Sequence, residues 1–511
     1  MLANVKSAAL LGIDAYPVDC EVDIAPGLPT FQTVGLPDAA VKESKDRVKS
    51  AVTNSQFAFP IQRITVNLAP ADTKKEGPSF DLPMAVGILI ASGALPAKSL
   101  EGYWMVGELS LDGKIRSIRG ALSIALAARE AGVRGLLVPP DNAKEAAVVQ
   151  EVPVYAVKNL RETYEFLIGT KKLHSVKVDL SEEFRQHSNY RVDFSDVKGQ
   201  ENAKRALEIG AAGGHNILLV GPPGSGKTML TKRLPTILPP LSLEEAIQTT
   251  KIHSIAGTLG RKKALVATRS FRSPHHTVSD AGLIGGGTIP KPGEVSLAHN
   301  GVLFLDEFPE FNKNVLEVLR QPLEDGSVTI ARVQSSLTFP ALFMLAAAMN
   351  PCPCGYYTEP SRECICTPHQ IQKYLSKISG PLLDRIDLHI EVPGLKWKEI
   401  SDNEPSEPSG AIRERVERAR EIQLKRYVGE GIHCNSQITS TLLKKHCVLD
   451  EPSQALLKAA MERFGLSARA YDRILKVART IADLDGEESI KPSYIAESIQ
   501  YRNLDRSVWR N

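Results

Sequence analysis

Apolar residues in this chain fall in two patterns, short unbroken runs and helical stripes, and the two alternate. Over residues 1 to about 170, runs such as Ile64-Thr65-Val66-Asn67-Leu68 and Gly135-Leu136-Leu137-Val138-Pro139 predict strands, and Ala-rich stretches such as Ala121 to Ala131 predict helices between them. That mixture indicates an α/β or α+β unit. The polar stretch from about Lys171 to Ser195 has the character of a linker. A second α/β block, richer in Gly, follows from about 191 to 395. It carries the buried-strand runs Asn216-Ile217-Leu218-Leu219-Val220, Gly301-Val302-Leu303-Phe304-Leu305 and Leu342 to Met349. Ser401 to Gly410 is built of turn residues with no apolar spacing, and beyond it the chain is helical. Ala411 to Tyr427 predicts a charged helix, and Ala468 to Leu484 places Ile474, Val477, Ile481 and Leu484 on one face. The expected division is 1–172, a linker at 173–190, a core at 191–395, a linker at 396–410 and a helical domain at 411–511.

Composition narrows the class. A length of 511 residues suits about three domains, and 42% apolar with 24% charged residues is ordinary for globular chains. With 62 Lys+Arg against 59 Asp+Glu, any nucleic-acid footprint has to be local. No apolar run reaches the length of a bilayer span, and the first residues lack the basic start of a signal peptide. Seven cysteines do not suggest a secreted disulfide framework. The expectation is a soluble, cytoplasmic protein without a membrane partner.

The strongest chemical signal is Gly221-Pro222-Pro223-Gly224-Ser225-Gly226-Lys227-Thr228, directly after a strand run and opening a helix. Glycines let backbone N–H groups curl around a β-phosphate, Lys227 reaches the β- and γ-oxygens, and the Thr228 hydroxyl ligates Mg²⁺. The second apolar strand ends in Asp306-Glu307. An acidic pair after a strand is by itself more often a solvated loop. With a phosphate loop upstream, Asp306 suits a Mg²⁺ ligand and Glu307 a base that polarises the attacking water. The third strand ends at Asn350, whose amide can orient that water or serve a purely structural role.

These strand-end motifs resemble the AAA+ ATPases when taken with Gly380-Pro381-Leu382-Leu383-Asp384-Arg385-Ile386-Asp387 and with Leu466-Ser467-Ala468-Arg469 opening a helix. With Phe271-Arg272-Ser273-Pro274-His275-His276-Thr277 and Asn350-Pro351-Cys352-Pro353-Cys354-Gly355, the chain is similar over nearly its whole length to the magnesium-chelatase-like group containing the ComM (YifB) family. The resemblance implies a central AAA+ P-loop α/β domain with a C-terminal helical lid, forming a homo-oligomeric ring, expected to be a hexamer, with ATP at subunit interfaces. It puts Arg385 at the arginine-finger position, acting on a neighbour's γ-phosphate, and Arg469 at the second-sensor position, with Arg473 as the alternative. A surface ion pair is the bland reading of either arginine. Val197-Lys198-Gly199-Gln200 matches the stretch near adenine. Members of the ComM family are helicases that promote branch migration while incoming DNA is integrated during natural transformation.

Residues 1 to about 170 resemble the proteolytic domain of Lon proteases, a ribosomal S5 domain 2-like α/β fold, and its relative in the RadA recombination protein. The resemblance rests on Lys75-Glu76-Gly77-Pro78-Ser79, on Val106 to Gly113 and on the helix Ala125 to Gly132. It puts Ser79 at the nucleophile position, but the family's Lys base falls at Leu122. Without a base the serine hydroxyl is not activated, so the expectation is a platform and not a protease.

Cys352, Cys354, Cys364 and Cys366 form two C-x-C pairs that could close a tetrahedral, structural Zn²⁺ site, tighter in spacing than the usual pairs; a metal-free packed loop is the alternative. Between the phosphate loop and the acidic strand runs a polar insert, about 255 to 298, with Arg261, Lys262, Lys263, Arg269 and Arg272 leading to His275-His276 and then to Gly285-Gly286-Gly287, which suggests a mobile loop. Gly326 to Arg332 followed by Ser335 to Phe339 predicts a β-hairpin. In the resembling group both are pore elements, where such basic side chains, Arg332 included, would grip a DNA backbone without reading sequence. The bland alternative is a solvated loop with the histidines as turn or interface contacts. Two function classes stay open, a DNA motor and a chelatase-type or protein-remodelling ATPase. Chelatase motors lack a Lon-like domain, which argues against metal insertion.

Overall fold

The computed structural model describes residues 2–187, 190–260, 263–287, 290–332, 335–357, 359–360, 362–394 and 406–502. They form two compact units, Met1–His187 with Leu243–Ala267, and Ser188–Ser242 with Thr268–Asn511.

The amino-terminal unit is built on a seven-stranded mixed sheet. Its order is Thr30–Val34, Arg63–Ala69, Asp14–Ala25, Leu2–Leu11, Tyr103–Met105, Gly135–Val138 and Val154–Ala156. Leu2–Leu11 and Asp14–Ala25 pair antiparallel from Leu2 opposite Asp23 to Leu11 opposite Asp14. The last three strands run parallel. Asp81–Ala91 is buried along its whole length, which is why its sequence lacks an amphipathic stripe. The helix Ala121–Glu130 and the strands around Ile64 and Leu137 lie where the apolar pattern puts them.

Two features depart from the sequence pattern. The polar stretch 173–190 contains a helix, Leu180–His187, started by Asp179, whose side chain accepts from Glu182 N at 3.1 Å. The segment 243–267, expected inside the central block, packs in the amino-terminal unit instead. Its helix Leu243–Ala256 buries Ala246, Ile252 and Ile255 and contacts the helix Ala121–Glu130. Buried Ser254 fixes the join. Its hydroxyl donates to Glu145 Oε1 at 2.5 Å and accepts from Gly120 N at 2.8 Å.

The second unit holds a five-stranded, all-parallel sheet in the order Phe271–Arg272, Val302–Leu305, Met344–Met349, Ile217–Val220 and Leu388–Glu391. The three central strands are buried at every position. Phe271–Arg272 lies within the stretch expected to be a polar insert and forms one edge of the sheet. The Gly-rich segment expected to be a mobile loop forms a short antiparallel ribbon, with Gly285 and Gly286 opposite Pro292 and Lys291. The hairpin Ser327–Arg332 with Ser335–Pro340 is present as expected.

The carboxy-terminal helices share the core of this sheet. Ala468–Leu484 is capped by Ser467 and buries Ile474, Val477 and Ile481, with Leu484 half-buried. The charged helix spans Ser409–Arg426, starting two residues earlier than the pattern predicts because Ser409 is buried, its hydroxyl accepting from Phe194 N at 2.8 Å. Residues 396–405 of the expected linker 396–410 lie outside the described residues. A buried polar link ties lid to sheet. His215 Nδ1 meets Asp387 Oδ2 at 3.0 Å and its Nε2 meets Thr480 Oγ1 at 2.8 Å. Among the described residues no helix is long and apolar enough to cross a membrane.

Candidate active site

The strand Ile217–Val220 runs into the phosphate loop, and the helix Lys227–Ile237 leaves it, so the positive end of that helix faces the loop. Gly221 is required by packing, since a Cβ there would sit 2.1 Å from the Val392 carbonyl oxygen. Lys227 is buried, and its Nζ donates to the carbonyls of Gly221 and Pro222 at 2.7 and 2.8 Å. Burial pulls its pKa down to about 8, with the Asp306 carboxylate pulling the other way.

The neighbouring strands bring the other groups to the same edge. Thr228 Oγ1 donates to Asp306 Oδ2 at 2.7 Å, so the hydroxyl and carboxylate expected to share Mg²⁺ already converge. Asn350, at the end of Met344–Met349, places Oδ1 3.3 Å from Lys227 Nζ. Glu307 adopts a left-handed backbone conformation with φ of 52° and is 61% exposed, so its carboxylate is open to water. His276 Nδ1 lies 3.2 Å from Glu307 Oε2. Sequence pattern gives no hint of that partnership, which joins residues from two different strand ends. A small cavity beside the loop is lined by Val197, Gln200, Gly226, Met229 and Leu230, an apolar slot of the kind a purine base fills. Gln200 closes one side, its Nε2 donating to Ser225 O at 3.2 Å and Pro393 O at 2.7 Å.

The expected arginines lie elsewhere. Arg385 is buried, ion-paired with Glu324, and donates to Pro381 O at 2.5 Å. Arg469 is 64% exposed with its guanidinium 3.5 Å from Asp384. Arg473 meets the buried Asp387 at 2.8 Å. Burial pushes the Asp387 carboxyl up, but Arg473 and His215 together hold it well below the usual carboxylate range. Arg473 is therefore a lid strut in this structure.

Of the basic candidates for DNA, Arg261 and Lys262 lie outside the described residues, as does the side chain of Arg332. Lys263 is exposed. Arg269 and Arg272 need correcting as free grips. Arg269 donates to the carbonyls of Pro239, Asn300 and Pro240, and Arg272 makes a two-point pair with Glu294 at 2.6 and 2.8 Å. Both guanidiniums are half-buried and already bonded, Arg269 to backbone carbonyls and Arg272 to a carboxylate.

The four clustered cysteines come together. Cys352 Sγ lies 3.3 Å from Cys354 Sγ and 3.7 Å from Cys364 Sγ, Cys354 and Cys364 are 3.6 Å apart, and all four sulfurs fall within 4.8 Å of one another. None is disulfide-bonded. In the amino-terminal unit Ser79 lies in the turn Pro78–Phe80, and Leu122 is fully buried with its amide donating to Glu145.

Comparison with known proteins covers the chain almost end to end. Residues 193–400 match the family described as magnesium chelatase, subunit ChlI; residues 20–142 match subunit ChlI of Mg-chelatase; and residues 406–502 match the ChlI C-terminal family. A chelatase-described family thus extends over the amino-terminal unit, which does not set the chain apart from chelatase subunits as the sequence argument expects. The chain is 46% identical over 507 residues to the competence protein ComM of Haemophilus influenzae, covering 99% of this chain and 98% of that one. It is 44% identical over 510 residues to the uncharacterized protein YifB of Escherichia coli, with 99% and 98% covered. A Lon protease of Halothermothrix orenii is 27% identical over 154 residues, 29% of this chain and 19% of the protease.

Proposed function

The chain belongs to the magnesium-chelatase-like AAA+ family that includes ComM and YifB, and from that premise we propose that it is a cytoplasmic, Mg²⁺-dependent ATPase that assembles into a hexameric ring and drives DNA unwinding or branch migration. The observation that carries the ATPase reading is the convergence of Lys227, Thr228, Asp306 and Asn350 at the ends of three neighbouring parallel strands.

Thr228 and Asp306 would hold Mg²⁺, which supplies charge neutralisation on the β- and γ-phosphates. Lys227 exchanges its two neutral carbonyl acceptors for phosphate oxygens, and the recovered charge–charge attraction offsets its desolvation. Glu307 takes the proton of the attacking water, with His276 fixing the direction of its carboxylate and Asn350 orienting the water. Arg385 leaves Glu324 to neutralise charge on a neighbouring subunit's γ-phosphate, and Arg469 follows the nucleotide from the lid. Cys352, Cys354, Cys364 and Cys366 would hold a structural Zn²⁺.

DNA contact falls to the hairpin with Arg332 and to Arg261, Lys262 and Lys263, with Arg269 and Arg272 removed from that set. The Haemophilus relative's name, a competence protein, supports a DNA substrate. The chelatase descriptions of the matching families favour a second reading, a chelatase-type or partner-remodelling ATPase. The test is ATP-driven branch migration and unwinding of labelled three-way, Holliday-junction and forked DNA, with Glu307→Gln as control. Activity lost in Glu307→Gln supports the DNA motor. Robust ATPase with neither DNA binding nor unwinding replaces it with the second reading.

A further inference from the structure

The cysteine cluster sits on the same segment as Asn350, and that segment touches the nucleotide site at Asn350 and at Gly355. Cys352 and Cys354 follow Asn350 by two and four residues. Cys364 and Cys366 form the returning arm, and Thr367 caps the helix Pro368–Leu375 that follows at once. That helix carries the buried Tyr374 back toward the start of the loop, within electrostatic reach of the Asn350 backbone.

The loop also presses on the phosphate loop. A Cβ on Gly355 would meet Pro223 Cδ at 2.5 Å, and Gly355 has φ of 89°, so the backbone touches the proline as only glycine allows. Asn350 meets Lys227 at 3.3 Å from the other side.

The sulfurs have the geometry of a ligand set. Four thiolates at about 2.3 Å from a tetrahedral Zn²⁺ stand about 3.8 Å apart. The close pairs observed lie at 3.3 to 3.7 Å. Two backbone amides already point at sulfur, Gly355 N to Cys352 at 3.2 Å and Cys354 N to Cys366 at 3.4 Å, as amides do around metal thiolates. Four ligands leave no open position, so a metal here shapes the chain and does no chemistry.

We propose that this four-cysteine clip is a brace for the nucleotide site: a bound Zn²⁺ ties the two arms of the loop together and so holds Asn350 and Pro223 in place, making ATP affinity depend on the metal. The inference rests on the ATPase and zinc readings above and adds the coupling between them. Without the metal, the two arms keep only weak sulfur contacts such as Cys354 N to Cys366 Sγ beside the helix Pro368–Leu375 among the described residues, and the loop carrying Gly355 moves off Pro223 more readily. Asn350 and the phosphate loop then lose a fixed neighbour, and misplacement of such groups weakens every contact they make.

The experiment uses the full chain purified under reducing conditions. Zinc per chain is measured by plasma mass spectrometry, and Co²⁺ substitution is followed through its thiolate charge-transfer absorption. Affinity for a fluorescent ATP analogue is then measured before metal removal, after it, and after Zn²⁺ is returned. The expected result is one metal per chain, a loss of affinity of about tenfold on removal, and recovery on return. Gly355→Ala separates the coupling from the folding of the loop, because it keeps all four thiolates while its Cβ meets Pro223; it is expected to retain zinc and lose affinity to a similar degree. Unchanged affinity in metal-loaded Gly355→Ala, or after metal removal from the folded wild type, overturns the brace and leaves the zinc site standing. No stoichiometric zinc and no Co²⁺–thiolate band overturn both. A zinc-loaded chain that binds no ATP analogue at all overturns the ATPase reading instead.

Discussion

Both units hold buried charges locked to protein partners, as Asp387 is in the second unit, but the ionisable side chains at the phosphate loop face something different. In the amino-terminal unit Asp81 is fully buried, and Arg47 meets its two carboxylate oxygens at 2.7 and 3.1 Å while Leu109 N donates a third bond. Burial pushes the Asp81 carboxyl up and the Arg47 bonds pull against it. Glu145 accepts from Leu122 N, Ser254 Oγ and Asn142 Nδ2, and even so burial pushes its carboxyl up. In the phosphate-loop unit, Lys227 is held by two neutral carbonyls, and Glu307 by one histidine with its carboxylate open to water. A buried charge locked to fixed protein groups is a strut. A buried charge on neutral, replaceable acceptors is ready for a ligand that bonds it better.

The contrast is broken or sharpened most strongly at Lys227. Lys227→Ala is expected to weaken ATP binding by about 100-fold, read by titration with a fluorescent nucleotide, and wild-type affinity would remove this lysine from the site. Next comes Glu307→Gln, expected to bind ATP normally while turnover falls by roughly 10²–10⁴-fold in a phosphate-release assay. On the strut side, Arg47→Ala leaves Asp81 buried and unpaired and is expected to cost about 3–5 kcal/mol in chemical denaturation; a cost under about 1 kcal/mol would end the strut description.

Smaller effects follow from protonation. With its pKa lowered to about 8, Lys227 is charged below that pH and loses its proton as pH rises through it. Phosphate requires the charged form, so ATP affinity is expected to fall by up to about tenfold per pH unit above pH 8, with proton uptake on binding. Calorimetry in two buffers of different ionisation enthalpy measures that uptake, and buffer-independent heats would contradict it. The smallest expected effect is none. Ser79→Ala leaves peptide release from unfolded substrates plus ATP at background, as in the wild type, and Ser79-dependent peptides would restore a protease to the amino-terminal unit.

What the sequence discloses of this site is what lies on single strands and their ends. Ile217 to Val220, Val302 to Leu305 and Met344 to Met349 are unbroken apolar runs, so the residues after each are placed at a strand end by local pattern alone. Ser467 before Ala468 to Leu484 is legible for the same reason. Pairings between distant positions leave no such trace. His276 meets Glu307, Arg272 meets Glu294 and Arg269 meets Asn300 only after the sheet forms, so a run of basic residues looks like an open patch when two of its members are already bonded. Leu180–His187 is missed because eight mostly polar residues carry too few apolar positions to show a period.

The chain passes from one unit to the other three times, near residues 188, 243 and 268, because the segment between phosphate loop and acidic strand folds with the amino-terminal unit. That topology bears on how the protein can be divided. A truncation beginning at residue 188 does not deliver a self-contained phosphate-loop domain; it leaves the apolar face of Leu243–Ala256 without its neighbour and the Ser254 hydroxyl without Glu145. An amino-terminal unit transplanted from a relative has to bring its own version of 243–267, in effect a second crossover inside the phosphate-loop domain. The units are two modules by compactness, yet no single cut in the chain separates them.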